Sequence, residues 1–156
     1  MILCHFDYAS SSWYSGLCKS YKYKLQTAQN RTIRYIRNMG NRDRVDHNTF
    51  CSLGILNIEN RVKQLRLNLV HKIFHNKIIP AYLTENFRKI SDLHYHSTRH
   101  SEHNFYIPSV VNQQSQTFYY NAIKDWNALP SSLKGVNNIH THTLLKLGLS
   151  NIYLTI

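Results

Sequence analysis

Acidic residues are scarce in this 156-residue chain, which has 8 of them against 19 lysines and arginines and a formal net charge of +11. With only three prolines and five glycines, it is neither collagen-like nor of low complexity. Its three cysteines form no Cys-x-x-Cys pair and exclude a disulfide framework. No apolar run approaches the roughly 20 residues that span a bilayer, and no signal peptide is visible. We therefore expect an intracellular protein, of the nucleus or cytoplasm, that is not secreted and does not enter a membrane.

Positive charge is concentrated between residues 19 and 44, where eight basic residues accompany a single acid, Asp43. A basic block of this kind lowers the free energy of a polyanion complex by releasing condensed counterions. The block therefore favours an RNA or DNA backbone as partner. A solvated basic face without a partner is the alternative interpretation.

Hydrophobic spacing predicts a mainly α fold, a small helical domain with at most a short β element around residues 104–111. Longer helices are expected over residues 22–38, over residues 60–75 and from Thr117 to Leu129. A shorter one is expected through Leu53, with Asp46 or Asn48 as the cap and Gly54 closing it. Two more short helices are expected after Pro80 and Pro130. The polar residues 94–100 are expected to form a loop.

The first of these helices is predicted to have one buried and one basic side. The buried stripe is predicted to be Leu25, Ala28, Ile33, Ile36 and Met39, with Gly40 ending the helix. The basic side carries Arg31 and Arg34, with Lys24 near the same line. Tyr21 and Tyr23 alternate with two lysines and are candidates for stacking on bases, whereas Trp13 and Tyr35 are expected in the core. The candidate nucleic-acid-binding residues are Lys22, Lys24, Arg31, Arg34, Arg37, Tyr21 and Tyr23.

Later helices are expected to supply most of the core. The predicted core line of helix 60–75 is Val62, Leu65, Leu69 and Ile73, widened by Leu67, Val70 and Phe74. Arg61, Arg66 and Lys72 are expected outside it. The short helix after Pro80 is expected to bury Tyr82, Leu83 and Phe87, and the next one Phe118, Ala122 and Trp126.

Motifs for catalysis and for cofactors are missing. The acids are dispersed, with no Asp-Asp or Asp-x-Asp pair to hold two metal ions, and no glycine-rich phosphate loop occurs. We therefore predict no catalytic residue and no cofactor.

His71 and His75 have the spacing of helical zinc ligands, but Lys72 replaces the glutamate of metalloproteases. We expect these two histidines on the helix surface, and His94, His96, His100 and His103 in a loop. A histidine-based metal protein ranks last among the hypotheses, and no metal site is predicted.

Six short blocks follow one another between about residues 4 and 140. They are Leu25–Arg31 with Ile33–Ile36, Leu53–Ile58 with Arg61, Lys72–His75 with Pro80–Leu83, Ser97–Arg99, Phe105–Pro108, and Phe118–Ala122 with Trp126–Pro130. In their residue types and in their order along the chain, these blocks resemble blocks of LINE-type, non-LTR retrotransposon reverse transcriptases. The family pattern "LQ-x-x-QN-(R/K)-x-x-R-x-I" matches the first block, and "WN-x-LP" matches the last.

The resemblance implies a fragment of an RNA-directed DNA polymerase. It covers the region downstream of the catalytic palm, with a thumb-like basic segment at 1–40, a helical C-terminal region at 41–140 and a divergent tail at 141–156. The family's Tyr-x-Asp-Asp motif is absent, since Asp7–Ser10 has another residue order, so the fragment is not an enzyme in isolation. The resemblance leaves RNA or DNA backbone binding as the retained role. The alternative is a structural remnant that only packs, or self-associates through former interfaces.

Replacing Arg31, Arg34 and Arg37 together with glutamine tests the basic helix. If they bind phosphates of duplex DNA, the slope of log affinity against log salt should fall by about 0.9 for each phosphate that is no longer neutralised. Filter binding over a salt series measures that slope, and an unchanged slope would refute the assignment.

Overall fold

The computed structural model describes residues 7–75, 80–93, 103–109 and 117–134. These residues are mainly helical, as predicted, and no strand pairs into a sheet within those ranges. The chain divides into two compact units, Met1–Val62 and Lys63–Ile156. The family-based boundaries after residues 40 and 140 stay predictions. The predicted loop at 94–100, its Ser97–Arg99 block and the tail at 141–156 lie outside the described residues.

The first unit is built on one long helix and several short elements. In chain order they are α1 (Ser10–Trp13), a 3₁₀ turn (Tyr14–Gly16), α2 (Lys19–Ile36), α3 (His47–Ser52) and the start of α4 (Ile58–Phe74). Its small core consists of Tyr14, Ile58 and Val62, with Leu17 and Leu25 packed against it. Helix α2 thus begins three residues before the predicted start and ends two before the predicted end.

Helix α2 buries the side-chain amide of Gln29, whereas the spacing of apolar residues predicts that its neighbour Ala28 is buried. Gln29 and Ile33 are its buried residues, whereas Ala28 is exposed and Ile36 is 57% exposed, so the predicted stripe is wrong at these two positions. Gln29 Nε2 donates to the carbonyl of Leu56 at 2.9 Å, which removes the penalty of burying a polar group.

A neighbouring amide continues this network. Gln26 Nε2 donates to Gln29 Oε1 and Asn30 Oδ1, each at 2.9 Å, while its Oε1 accepts from the amide of Ile58 at 3.2 Å. The side chains of one helix face therefore hold the backbone of the link that leads into α4.

The ends of α2 and α3 follow standard capping chemistry. Asn38, at φ 52°, ends α2 in the left-handed conformation, and the amide of Met39 donates to the carbonyl of Arg34 at 2.9 Å. The predicted stop at Gly40 is therefore two residues late, because asparagine also tolerates this conformation. At α3, Asp46 accepts from the amide of Thr49 at 2.9 Å, and Gly54 takes the left-handed position after the helix, both as predicted.

The second unit contains the rest of α4, α5 (Ala81–Thr84), a 3₁₀ turn (Ile90–Asp92), α6 (Phe118–Asn127) and α7 (Ser131–Lys134). One aromatic-rich core joins these elements. Its buried residues are Leu67, Val70, Ile73, Phe87, Phe105, Ala122, Ile123, Trp126 and Leu129. The predicted α6 stripe and the short helix after Pro130 are confirmed.

Three polar or aromatic residues are misplaced by the sequence prediction. Arg66, predicted outside, is buried, and its guanidinium pairs with Asp125 of α6. His71 is buried rather than on the surface, with its ring centre 6.1 Å from that of Trp126. Tyr82 is 66% exposed, because α5 ends at Thr84 and only Phe87 beyond it enters the core.

The predicted β element is reduced to one antiparallel bridge between Lys89 and Phe105. The backbone of Phe105 forms hydrogen bonds with the side chain of Asn127 where a sheet would supply a second strand. Asn127 Oδ1 accepts from the amide of Phe105 at 3.0 Å, and Asn127 Nδ2 donates to its carbonyl at 2.8 Å. Trp126 Nε1 donates to the carbonyl of His103 at 2.9 Å. Residues 103–105 are therefore fixed by α6.

Truncating the central tryptophan should unfold the second unit readily. Trp126 has no solvent exposure, so Trp126→Ala is expected to reduce the free energy of unfolding by about 3–5 kcal/mol. Urea denaturation followed by circular dichroism measures the loss. Tyr82→Ala, at an exposed aromatic site, is the control and should change stability by less than about 0.5 kcal/mol. Equal effects of the two variants would contradict the described core.

The burial of Lys134 should make the stability of the protein depend on pH in the alkaline range. It is buried, and its Nζ donates to Asn104 Oδ1 at 2.7 Å and to the carbonyl of Asn127 at 3.2 Å, both neutral acceptors. Burial lowers the pKa of Lys134 below its ordinary value of 10.5. Between those two pKa values the unfolded chain binds more protons than the folded one, so stability rises with pH in that window.

The matching measurement compares the wild type with Lys134→Met, which has no titrating amine. The stability of the wild type relative to the variant should increase as pH rises toward 10.5. Urea midpoints collected across that window test this, and a constant difference between the two proteins would contradict it.

Candidate nucleic-acid interface

The outer face of α2 lies opposite Gln29 and Ile33. Lys24, Ala28, Arg31 and Tyr35 recur at intervals of three and four residues and are all exposed. Lys24 and Arg31 are therefore on the same side of the helix, roughly 10 Å apart along its axis. We call these four residues the outer ridge.

Among the described residues, no carboxylate forms an ion pair with the cations of the outer ridge. Ion pairs between described residues join Arg61 to Asp7, and Lys63 and Arg66 to Asp125, and none involves α2. Lys24 Nζ lies 5.3 Å from the ring centre of Tyr21, which is 57% exposed. Within the described part of the chain, Arg31 is therefore available for an external anion.

The other predicted lysine has a different environment. Lys22 is half-buried, with its Nζ 5.1 Å from the ring centre of Tyr14. Burial, and secondarily the charge of Glu59, raises the pKa of Tyr14 above its ordinary value. Tyr23, by contrast, is 75% exposed. The structure thus separates Lys22, next to the core, from the exposed Lys24, although the two are close in sequence.

The two remaining predicted arginines contact the segment that follows α2. Arg34 Nε donates to the carbonyl of Asp43 at 2.7 Å, and Arg37 Nη2 donates to the hydroxyl of Ser52 at 3.0 Å. Both acceptors are uncharged, so neither hydrogen bond is an ion pair. Of the three predicted arginines, only Arg31 is on the outer ridge.

Tyr35 is the residue that the sequence prediction misses. It is expected in the core, together with Trp13, but the two are 89% and 37% exposed. Trp13 Nε1 donates to the carbonyl of Tyr8 at 3.0 Å. The signal that could have found Tyr35 is its position four residues after Arg31, on the same helix face. A helix turned to bury Gln29 necessarily exposes Tyr35.

His71 in α4 and His75, the residue after its end, both have structural contacts. The ring centres of His71 and His75 are 4.3 Å apart, and His75 Nε2 is 3.1 Å from the carbonyl oxygen of Lys134. The described residues contain no group of three or more His, Cys, Asp or Glu side chains able to hold a metal ion. His94, His96 and His100 lie outside the described residues.

Comparisons with family models, with curated proteins and with solved structures gave no match to this chain. Within the part that the structure describes, no helix is long and apolar enough to cross a membrane.

Proposed function

We propose that the chain binds the phosphate backbone of RNA or DNA through the outer ridge of α2. The observation that carries the proposal is the exposure of Lys24 and Arg31 on one helix face, with no carboxylate partner among the described residues. Phosphate groups attract such cations whatever the base sequence, and counterion release supplies much of the affinity. Arg34 and Arg37, which form no ion pair with a described acid, extend the positive surface to the C-terminal end of α2.

The proposed protein context is the region downstream of the palm in a LINE-type reverse transcriptase, acting in the nucleus or cytoplasm. The resemblance of the six sequence blocks supports this proposal. In that context the chain has no polymerase activity of its own and retains only the backbone-binding role.

Self-association is the second candidate function, and one observation favours it. Ile36 is 57% exposed beside the even more exposed Tyr35, so the C-terminal end of α2 presents apolar surface to solvent. Sedimentation across a concentration series separates the two candidates. Self-association predicts concentration-dependent mass, whereas backbone binding predicts saturable, salt-sensitive capture of labelled nucleic acid.

Lys24→Gln combined with Arg31→Gln tests the backbone-binding proposal. The slope of log affinity against log salt on duplex DNA should fall by about 0.9 for each cation removed. Fluorescence anisotropy of a labelled duplex, titrated at several salt concentrations, gives that slope. Both side chains are exposed, so the variant should keep the circular dichroism of the wild type.

Lys124→Gln is the matched control, since it removes a single positive charge from an exposed position on α6. It should leave the slope nearly unchanged. If the control lowers the slope as much, per charge, as the ridge variant does, binding follows net charge and the assignment to α2 is wrong.

A further inference from the structure

A groove of about 940 Å³ lies at the C-terminal end of α2. Its walls combine cationic, aromatic, amide and thioether groups. They include Arg31, Arg34, Tyr35, Asn38, Met39 and Asn41. The volume is near the upper end of the roughly 300–1,000 Å³ range of small-molecule sites. The groove therefore has room for a ligand with both charged and planar parts.

The ring of Tyr35 is the planar surface of this groove. At 89% exposure it is the most exposed large hydrophobic side chain among the described residues, and it pairs with no other described ring. An exposed tyrosine presents a flat, polarisable face on which a nucleobase can stack, whatever the sequence of the nucleic acid. Tyr35 thus offers a stacking contact to a base, in addition to the charge contacts that the arginines offer to a phosphate.

Arg34 supplies an oriented cation beside that ring. Its Nε is held by the carbonyl of Asp43 at 2.7 Å, and its Nη atoms make no hydrogen bond with described residues. The carboxylate of Asp43 accepts from the amide of Gly40 at 2.7 Å and forms no ion pair with Arg34 within the described part. A planar guanidinium fixed at one edge suits an oxyanion at its free edge.

We propose that this groove binds an unpaired nucleotide of single-stranded nucleic acid. The base stacks on Tyr35, and the phosphate lies between Arg31 and Arg34. A duplex keeps the faces of its bases inside the stack, so it reaches only the cations. This inference rests on the proposed backbone binding and adds to it the form of nucleic acid that the site prefers.

The test compares Tyr35→Ala with Tyr35→Phe on single-stranded and duplex oligonucleotides of equal length. Tyr35→Ala should weaken single-strand binding by about fivefold to a hundredfold, because the base no longer has a ring on which to stack. Tyr35→Phe keeps the ring and should bind like the wild type. Duplex binding should be almost unaffected by either variant. Fluorescence anisotropy at one fixed salt concentration measures the affinity of the wild type and of each variant for both forms, with RNA and DNA strands in separate arms.

Tyr82→Ala is the control, since it removes another exposed tyrosine from the chain. Single-strand affinity that is unchanged in Tyr35→Ala, or lowered equally for the duplex, overturns the stacking inference. In that case the backbone-binding proposal still holds if the Lys24→Gln, Arg31→Gln double variant lowers the slope of log affinity against log salt. If the wild type binds neither form, both proposals fail together.

Discussion

The side-chain amide of Gln29 lies in the interior of the first unit and donates to the carbonyl of Leu56. A buried amide without a partner would cost about 1–3 kcal/mol, so the rotation of α2 that meets this carbonyl is favoured by a free energy of that order. Gln26 reinforces the same rotation from the preceding turn. Because the helix is fixed in this way, Lys24, Arg31 and Tyr35 point to solvent. The candidate interface is therefore a consequence of how polar groups are satisfied inside the unit.

The existence and approximate length of the helices could be predicted from the spacing of apolar residues. Their rotation could not, because that pattern treats every glutamine as outward-facing and places Ala28 inside in the position of Gln29. The burial of Arg66 and His71 depends on Asp125 and Trp126, which are more than fifty residues away in sequence. Local spacing contains no information about such partners, so it assigns both residues to the surface.

The candidate site was predictable in its charge but not in its geometry. The density of lysines and arginines indicates α2 as the candidate helix, yet it groups Lys22 with Lys24, which the fold separates. The side-chain amides of Gln26 and Gln29, in the first of the six sequence blocks, hold the fold of the first unit. Asn127, in the last block, does the same in the second unit. The candidate interface is thus formed by residues adjacent to these structural ones.

Asn127 meets both polar groups of the Phe105 backbone, so a single side chain supplies hydrogen bonds that a sheet would distribute along a neighbouring strand. Exchange of the Phe105 amide proton with solvent then requires this carboxamide to release it. The protection of that proton reports on the docking of the C-terminal turn of α6. A single side chain at the end of α6 thus controls how readily solvent reaches the backbone of an irregular segment.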